Sequence, residues 1–422
     1  MSPSVAERLA AILPPDCQGE WTRAADGAVF PLAAPREREG FVAVMELAAA
    51  DGLVVQPIGF GSKVAWCRPA PRLDLVLSTR NFAGVVEYAA ADGTLTARAG
   101  TPMAELAAVA AAGGHHLSPD VPRPAGATLG GVLAAGASGV DRLRYGAVRD
   151  QVLGLSVLLA DGRLAKGGGR LVKNATGYDL ARLLCGSHGT LAVLLEASLR
   201  LWPRPAARRL ARVRVADRAA ALELARRLHA RPVQLVTLLA HDLDRERPEG
   251  PWTLLAALGG RADVVAWEAE RIAEVAPEVE IDASDEALAA ARDLELGRGG
   301  GPDLSLASLP GDLPANLAAL ELHAGECGLA ARTLAHPALA RVLVWLGAGE
   351  PAGAPAPDRL LALHERLGGL RGRMRWLAPP PGLLAHVDPA GPIGPGLALM
   401  RRLRRALDPA GRLAGGRLHA EL

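Results

Sequence analysis

A glycine-rich loop in the first part of the chain has the residue types that could hold a phosphate group. The loop, Pro57-Ile-Gly-Phe-Gly-Ser-Lys63, directly follows a predicted β-strand at Leu53–Gln56. Glycine lets backbone N–H groups approach phosphate oxygens, while Ser62 adds a hydroxyl donor and Lys63 a positive charge. Val64 stands where a Rossmann fingerprint has its third glycine, and the spacing of a P-loop is missing. By itself, the loop is equally consistent with phosphate binding and with a tight surface turn.

A second stretch, Ser118–Gly139, is rich in glycine, alanine and proline and cannot pack large side chains. Such a backbone is typical of places where the chain lies close to a ligand or to another segment. His115 and His116 come shortly before this stretch, and polar loop residues are the interpretation that we favour for both.

Local signals predict the elements around these two stretches. Helical periodicity spans Glu37–Ala50 and stops at Asp51-Gly52, and Thr101-Pro102 predicts an N-cap with proline at the first helical position. The dipeptides Asp92-Gly93 and Asp161-Gly162 each separate two β-like runs and predict hairpins. Together these signals predict a first domain that mixes helices and strands.

After Pro203-Arg-Pro205 the pattern changes to successive strand–helix–strand units. Strands are predicted at 209–215, 233–239 and 252–258, and helices at 217–229 and 263–275. Units of this size favour an α+β domain on an antiparallel sheet, of the ferredoxin-like kind. We therefore predict an α+β fold with an N-terminal helix and lead-in at 1–33, a first domain at 34–205, a second at 206–390 and a C-terminal segment at 391–422.

Composition limits the possible functions. Half of the residues are hydrophobic, 22% are charged and the net charge is +2, which is typical of a globular protein and not of a disordered or nucleic-acid-binding one. The cysteines include no C-x-x-C pair, so we expect neither a metal site nor an iron–sulfur cluster in this chain. Scattered thiols, an N-terminus without a signal-peptide pattern and the lack of a long apolar run predict a cytoplasmic protein. Docking onto a membrane-associated partner stays open.

Five ordered motifs resemble the PCMH-type, or vanillyl-alcohol-oxidase-type, FAD-binding family. They are Pro57–Lys63; Ala127–Gly131 with Ala137–Gly139; Arg144–Gly154 with Ala160–Gly162; Lys173–Leu180 with Gly186–Leu191; and Leu407–Gly411. Five motifs in the same order are far more specific than any one of them. The resemblance covers Ala34–Pro205 and, more weakly, the C-terminus. It implies a two-subdomain FAD-binding domain, followed by a substrate or cap domain and by a C-terminal segment that returns to the FAD-binding domain.

The same resemblance implies which residues contact FAD. The pyrophosphate would lie on Gly59, Phe60, Gly61, Ser62 and Lys63; the ribityl chain and flavin edge near Thr128, Gly130, Gly131, Ser138 and Gly139; and the adenine end on the backbone of Val193. Many family members attach FAD covalently through histidine or cysteine. The pyrophosphate loop here has neither, so we expect non-covalent FAD. His188 stands where several members have glutamate, and it could tune the flavin or face solvent.

Catalytic residues are harder to predict. A flavin dehydrogenase acting on a 2-hydroxy acid needs a group for the carboxylate and a base, commonly histidine, for the hydroxyl proton. Catalytic members of the family carry the motif His-x-Gly-Asp-Gly-Asn. The nearest string here, His323–Gly328, lacks the asparagine and lies on a predicted helix, and His336 precedes a predicted strand. The sequence assigns a role to neither histidine, so the catalytic residue stays unknown.

The form of the Lys173–Leu180 motif is most similar to the E subunit of bacterial glycolate oxidase. This similarity implies an FAD-binding subunit of a complex that oxidises glycolate, a small 2-hydroxy acid, to glyoxylate. Its partners would be a second FAD-binding catalytic subunit and an iron–sulfur subunit, which could hold it at the inner face of the cytoplasmic membrane. Two alternatives stay open: a stand-alone FAD-dependent dehydrogenase of the D-lactate type, and a flavin-free scaffold subunit.

Overall fold

A computed structural model describes residues 3–170, 179–243, 251–296, 302–348, 355–377, 379–384, 386–391, 394–420 and 422. Most of the predicted Lys173–Leu180 motif, up to residue 178, lies outside the described residues. Contacts between Cα atoms divide the chain into two compact units. The first unit comprises Met1–Ser138, Ala147–Arg204 and Ile393–Leu422, and the second comprises Gly139–Gly146 and Pro205–Pro392.

The secondary structure of the described residues mixes helices and strands throughout. In chain order the strands are β1 (Gln18–Thr22), β2 (Val29–Ala33), β3 (Val55–Ile58), β4 (Leu75–Ser78), β5 (Val85–Ala89), β6 (Thr94–Arg98), β7 (His115–His116), β8 (Val152–Leu158), β9 (Leu164–Gly168), β10 (Val193–Arg200), β11 (Trp202–Pro203), β12 (Ala207–Val215), β13 (Leu235–His241), β14 (Trp252–Gly260), β15 (Glu280–Asp282), β16 (Leu304–Ala307), β17 (Leu329–His336), β18 (Arg341–Ala348) and β19 (Arg373–Trp376). The helices are α1 (Val5–Ala10), α2 (Arg38–Asp51), α3 (Met103–Ala112), α4 (Leu129–Ala135), α5 (Arg142–Tyr145), α6 (Leu180–Leu184), α7 (Arg218–His229), α8 (Ala262–Val275), α9 (Asp285–Asp293), α10 (Leu313–Glu326), α11 (Pro357–Leu367), α12 (Pro381–Leu384) and α13 (Gly396–Leu407).

The first sheet of the first unit has the order β1-β2-β4-β3. Strands β2 and β3 both run parallel to β4, and β1 pairs antiparallel with β2. Helix α2 connects β2 to β3 and buries Phe41, Val44 and Met45, with the Phe41 ring packed edge-on against Phe82. The predicted end of this helix is confirmed, since Gly52 caps it in the left-handed conformation.

The second sheet of the first unit, β5-β6-β10-β8-β9, is antiparallel throughout. Both predicted hairpins are confirmed: Asp92-Gly93 joins β5 to β6, and Asp161-Gly162 joins β8 to β9. Helices α3, α4 and α6 contribute Leu106, Leu129 and Leu184 to one hydrophobic core with this sheet. The sheet and its helices hold α4 beside the glycine-rich loop.

Two local predictions about the first unit are wrong. Pro102, and not Thr101, is the N-cap of α3; the Thr101 hydroxyl donates to the carbonyl of Arg98 at 2.7 Å and accepts from the N–H of Gly84 at 2.9 Å. His115-His116 is not a loop but the short strand β7, which pairs with β11. At Thr101 the hydroxyl bonds to residues that precede α3 and not to the helix, and at His115-His116 the pairing with β11 depends on residues about 85 positions later in the sequence.

The C-terminal segment lies beside β3 on the edge opposite β4. Leu413 forms a parallel bridge with Val55, whose N–H donates to the carbonyl of Arg412 at 2.7 Å. The Ala414 N–H donates in turn to the carbonyl of Val55 at 2.9 Å. The buried Asp408 carboxylate accepts the N–H groups of Arg412 and Leu413, both at 2.8 Å. Strand β3, which leads into the glycine-rich loop, therefore has backbone partners on both sides.

The second unit is built on one antiparallel sheet of order β15-β12-β14-β13-β17-β18-β16-β19. Its first half, β12-α7-β13-β14-α8-β15, has the strand order of a ferredoxin-like fold. The predicted ferredoxin-like α+β domain is thus confirmed. The second half, β16-α10-β17-β18-α11-β19, repeats the same order. The halves join where β13 pairs with β17, through Ala240 with Ala335 and His241 with Leu334.

Each half of the second unit has its own core. Helix α7 buries Ala221, Leu224, Ala225 and Leu228, which recur at the spacing of one helix face. Helices α7 and α8 cover the first half, and α10 and α11 cover the second. Among the helices of the described residues, none combines the length and the apolar character needed to span a bilayer.

Candidate functional site

The glycine-rich loop forms one wall of a cleft in the first unit. The other walls are the start of α4 from Thr128, parts of the segment His188–Leu194, and Arg417. The cleft encloses about 640 Å³ when the part open to solvent is counted.

Four successive backbone N–H groups on the loop have no acceptor within the described part of the chain. They belong to Gly59, Phe60, Gly61 and Ser62, all of which line the cleft. Successive amides of this kind form an anion-binding concavity when one residue of the turn is left-handed, and Gly61 has φ +83°. The loop therefore offers a row of backbone donors to a phosphate.

Contact between Gly59 and Thr128 fixes the position of the loop. A Cβ atom added to Gly59 would lie 2.0 Å from the Thr128 hydroxyl oxygen, so a larger residue does not fit. The same hydroxyl is the N-cap of α4 and accepts the N–H of Gly131 at 3.1 Å. The close approach brings the loop and α4 together as two neighbouring walls of the cleft.

Two positively charged side chains line the cleft. Lys63 follows the row of amides; its Nζ lies 3.4 Å from the Ser62 hydroxyl and 5.9 Å from the centroid of the Trp66 ring. Arg417 is only 3% exposed and comes from the C-terminal segment. Its guanidinium donates to the carbonyl of His188 at 2.8 Å and to that of Val64 at 3.3 Å.

Sequence reasoning missed Arg417. The available signal was a run of glycine and arginine near the C-terminus, but nothing local connects residue 417 with a loop at residues 57–63. The connection depends on the backbone bridge between Leu413 and Val55, which places the following residues next to the end of β3.

The prediction that His188 could face solvent is wrong. His188 is buried, lines the cleft and has φ +53°, a left-handed conformation unusual for a residue with a side chain. Its N–H donates to the carbonyl of Ala134 at 2.8 Å, near the end of α4. This hydrogen bond and the one from Arg417 hold the turn at residues 186–190 against the cleft.

Most of the predicted cofactor-contacting residues meet in this cleft. Those that line it are Gly59, Phe60, Gly61, Ser62, Lys63, Thr128, Gly130, Gly131 and Val193. Ser138 and Gly139 do not line it, and the Ser138 hydroxyl accepts the N–H of Val148 at 3.0 Å. The N–H of Gly130 donates to the carbonyl of Ala99 at 2.8 Å, so this amide already has an acceptor in the protein.

The two histidines considered for catalysis belong to the second unit. His323 lies on α10, with Nδ1 3.0 Å from a Glu326 carboxylate oxygen. His336 ends β17 and is buried, with Nε2 3.4 Å from Glu295 Oε1, which also lies 3.6 Å from the guanidinium of Arg341. Burial lowers the pKa of His336 although the Glu295 carboxylate raises it, so the imidazole is neutral near pH 7.

No group of three or more potential metal ligands is assembled within the described residues. The four cysteines, Cys17, Cys67, Cys185 and Cys327, are free thiols. Burial raises the pKa of Cys185 to about 12, which keeps it protonated at physiological pH.

The sequence comparison now identifies the first part of the chain. Residues 31–168 match the family model described as FAD binding domain. This part of the chain is an FAD-binding domain. The match contains the glycine-rich loop and both hairpins of the second sheet, and it stops before the His188 turn and Arg417.

Curated relatives match less than half of the chain. The chain is 39% identical to glycolate oxidase subunit GlcE of Escherichia coli over 156 residues, which is 37% of this chain and 43% of that one. It is 37% identical to D-lactate dehydrogenase of Archaeoglobus fulgidus over 41% of each chain. It is 34% identical to D-2-hydroxyglutarate dehydrogenase of Xanthomonas citri over 44% of this chain and 39% of that one. The chain thus spans about four tenths of the length of these relatives.

Solved structures extend the similarity of fold to almost the whole chain. A p-cresol methylhydroxylase structure with bound substrate superposes with a TM-score of 0.70 at 16% identity, over 92% of this chain and 88% of that one. An alkyldihydroxyacetonephosphate synthase structure gives 0.71 at 15% identity, over 96% and 83%. These similarities confirm the predicted fold, an FAD-binding domain of the PCMH type with a second α+β domain.

The residues of the cleft fit the diphosphate of FAD. A diphosphate needs several hydrogen-bond donors and neutralising positive charge. The row of amides at Gly59–Ser62 supplies the donors, and Lys63 and Arg417 supply two positive charges. Because the Gly59 backbone packs directly on Thr128, the loop is held without a side chain that would fill the space. The pyrophosphate loop contains no histidine or cysteine that could form a covalent bond to FAD.

Proposed function

We propose that this chain is the FAD-binding subunit of a glycolate oxidase or dehydrogenase complex, which oxidises glycolate to glyoxylate and passes the electrons to an iron–sulfur partner. The observation that carries the proposal is the row of acceptor-free amides at Gly59–Ser62, beside Lys63 and Arg417, in a matched FAD-binding domain. The similarity to a glycolate oxidase subunit supports the choice of complex.

In the proposed site each group has a separate role. The Gly59–Ser62 amides and Lys63 bind the diphosphate, and the backbone near Val193 contacts the adenine end. Thr128 holds the loop and the first turn of α4 in register. Bound FAD would supply the hydride acceptor for oxidation of the alcohol carbon. Thr128, Gly130 and Gly131 would lie along the ribityl chain and the flavin edge, and FAD would be held without a covalent bond.

Dependence on a partner subunit follows from the catalytic residues that this sequence lacks. The string at His323 has no asparagine at the position of the family's catalytic motif, and its histidine lies on a helix beside Glu326. A second catalytic flavoprotein subunit would then supply the base and the carboxylate-binding group. This arrangement would place the chain in the cytoplasm, associated with the membrane through its partners.

A stand-alone dehydrogenase for a 2-hydroxy acid of the D-lactate type is the second candidate. Its base and its carboxylate-binding arginine would lie in the second unit, where the buried His336 and Arg341 both lie beside Glu295. A neutral histidine could remove the hydroxyl proton, and an arginine could bind the substrate carboxylate.

The visible absorption spectrum of the purified chain tests both candidates. We expect a yellow protein that releases its FAD into the supernatant on acid precipitation. Anaerobic glycolate should bleach the flavin only when the partner subunits are present. Bleaching of the isolated chain by D-lactate or glycolate would favour the stand-alone enzyme. A colourless protein that takes up no FAD on reconstitution would refute the proposed function and leave the flavin-free scaffold.

A further inference from the structure

Within the described part of the chain, the buried arginine at position 417 has no acidic partner. No carboxylate of these residues is paired with its guanidinium, although the residue is only 3% exposed. An arginine side chain has five N–H donors. Two of them donate to the carbonyls of His188 and Val64, and the buried Nε has no acceptor.

Burying a charge without a counter-charge is costly, because carbonyl oxygens replace only part of the lost hydration. The loss of hydration lowers the pKa of the Arg417 guanidinium, but an arginine stays charged at any physiological pH. The cleft therefore carries a positive charge that an anion would compensate. The acceptor-free amides at Gly59–Ser62 line the same cleft. An anion bound there would therefore accept hydrogen bonds from two segments that are far apart in the sequence.

We infer that Arg417 binds the diphosphate of the cofactor, and that the C-terminal segment is therefore part of the cofactor site. The inference rests on the proposed FAD binding and adds to it a residue from outside the matched domain. Arginine suits this role because its planar group donates two hydrogen bonds to phosphate oxygens at once. Its hydrogen bonds to the carbonyls of Val64 and His188 would orient it before the ligand arrives.

The position of Arg417 does not depend on its own side chain. Its backbone carbonyl accepts the N–H of Arg68 at 3.0 Å, and the preceding Leu413 is held by the bridge to Val55. A substitution at residue 417 should therefore leave the segment in place while removing the guanidinium. The variant therefore tests the guanidinium, including its hydrogen bonds to Val64 and His188, and not the position of the C-terminal segment.

The test measures dissociation constants of the flavin-depleted full chain for FAD, ADP and riboflavin. ADP has the diphosphate without the flavin, and riboflavin has the flavin without any phosphate. We expect Arg417→Met to weaken the binding of FAD and of ADP by a similar factor of about 10 to 100, because this is the usual contribution of a hydrogen bond to a charged group. Its dissociation constant for riboflavin should stay within about twofold of the wild-type value. Arg417→Lys should lose less, because a lysine keeps the charge but not the paired donors.

Arg412→Gln is the matched control. Arg412 lies in the same segment, and its guanidinium donates to the carbonyl of Ala49 and not into the cleft. This variant should bind all three ligands as the wild type does. If Arg417→Met fails to fold, Arg417→Lys tests the inference instead. A ratio of FAD to riboflavin affinity below that of the wild type would support it, and an unchanged ratio would overturn it.

Separate outcomes identify which proposal fails. Unchanged FAD and ADP affinities in a folded Arg417→Met protein would overturn the inference and leave FAD binding intact. Equal weakening of FAD, ADP and riboflavin would also overturn it, because it would indicate a general collapse of the cleft. A wild type that binds ADP through Arg417 but not FAD would support the arginine's role and refute the proposed flavoprotein function.

Discussion

At the scale of single residues, the Gly59 backbone leaves no room for a side chain beside Thr128. Because a Cβ atom at position 59 would lie 2.0 Å from the Thr128 hydroxyl, Gly59→Ala must displace the loop. We expect the variant to fold but to bind FAD at least about tenfold more weakly, since misplaced amides lose more than one charge-assisted hydrogen bond. Flavin fluorescence titration of the depleted protein measures this.

Gly126→Ala serves as the control for this prediction. Gly126 is exposed in the same unit, and a Cβ atom added there meets nothing within 4 Å. FAD affinity should not change in this variant. Wild-type affinity in Gly59→Ala would mean that the loop can move without cost, and that its geometry does not determine binding.

A second residue-scale prediction concerns His336 and pH. The pKa of His336 is lowered by burial in the folded protein, whereas the unfolded chain has an ordinary value of about 6.5. Below that value the unfolded state binds more protons than the folded state, so stability falls as the pH drops from 6.5 to 5 and is constant above 7. Urea unfolding at several pH values, with amide exchange of β17 as the probe, should show this slope.

His336→Gln should flatten the slope between pH 5 and 6.5. His229→Gln, an exposed histidine of the same unit, should leave it unchanged. The neighbouring Glu295 does not interfere in this range, because its pKa is lowered by His336 and Arg341 in spite of burial, and its effect falls below pH 4.5. If the free energy of unfolding changes with pH equally in the wild type and in His336→Gln, His336 is not the cause of the pH dependence.

At the scale of elements, the turn at Asp408 determines whether the C-terminal segment reaches β3. Its buried carboxylate accepts two backbone N–H groups, from Arg412 and Leu413. Asp408→Ala removes both acceptors, and we expect a loss of about 3 kcal/mol in the free energy of unfolding, since hydrogen bonds to charged groups contribute about 1.5–3 kcal/mol each. Denaturant unfolding of the full chain measures it.

Asp92→Ala is the comparison for Asp408→Ala. Asp92 lies in an exposed turn of the same unit, and its replacement should change stability by less than about 0.5 kcal/mol. Equal stability of the two variants would show that the bridge at Leu413 forms without the Asp408 carboxylate.

Elements whose determinants are local were predictable from the sequence. Gly52 at the end of α2, and the hairpins at Asp92-Gly93 and Asp161-Gly162, need only the conformation of one or two residues. The glycine-rich loop at Pro57–Lys63 was also recognisable locally, from its glycines after a predicted strand. Thr101 was misassigned because a hydroxyl that could cap α3 found the carbonyl of Arg98 and the N–H of Gly84 instead.

Arg417 could not be predicted, because its two acceptors are distant in sequence. His188 lies 229 residues away and Val64 lies 353 residues away. No periodicity or spacing encodes a contact over such distances, and only the folded backbone at Leu413 brings the groups together. The solvent-facing alternative for His188 failed for a similar reason, since its burial depends on the distant end of α4.

At the scale of the whole molecule, the second unit repeats one strand order twice, and no repeat was apparent in the sequence. The strand order depends on which strands pair, for example β12 with β14 and β16 with β18. The sequence marks a strand by its pattern of apolar residues, but this pattern does not say which other strand it pairs with. The sequence predicted three of the four strands of the first half, β12, β13 and β14, but not β15, and not that the second half would have the same strand order.

FAD binding should protect segments from the two ends of the sequence together. Amide hydrogen exchange with saturating FAD is expected to slow in residues 55–64 and in residues 412–418, because both border the cleft. The peptide of α11, in the second unit, serves as the internal reference for exchange. Protection of the first segment without the second would contradict a shared site.

The bridge between Leu413 and Val55 has a consequence for how the protein is made. Strand β3 and its loop leave the ribosome early, but the segment that borders β3 on its second side is synthesised more than 350 residues later. In the nascent chain, β3 therefore has one unpaired edge until the C-terminal segment has left the ribosome. If Arg417 binds the diphosphate as inferred, we expect FAD to be loaded late in biosynthesis, and a chain that stops before residue 417 to contain the matched domain with an incomplete site.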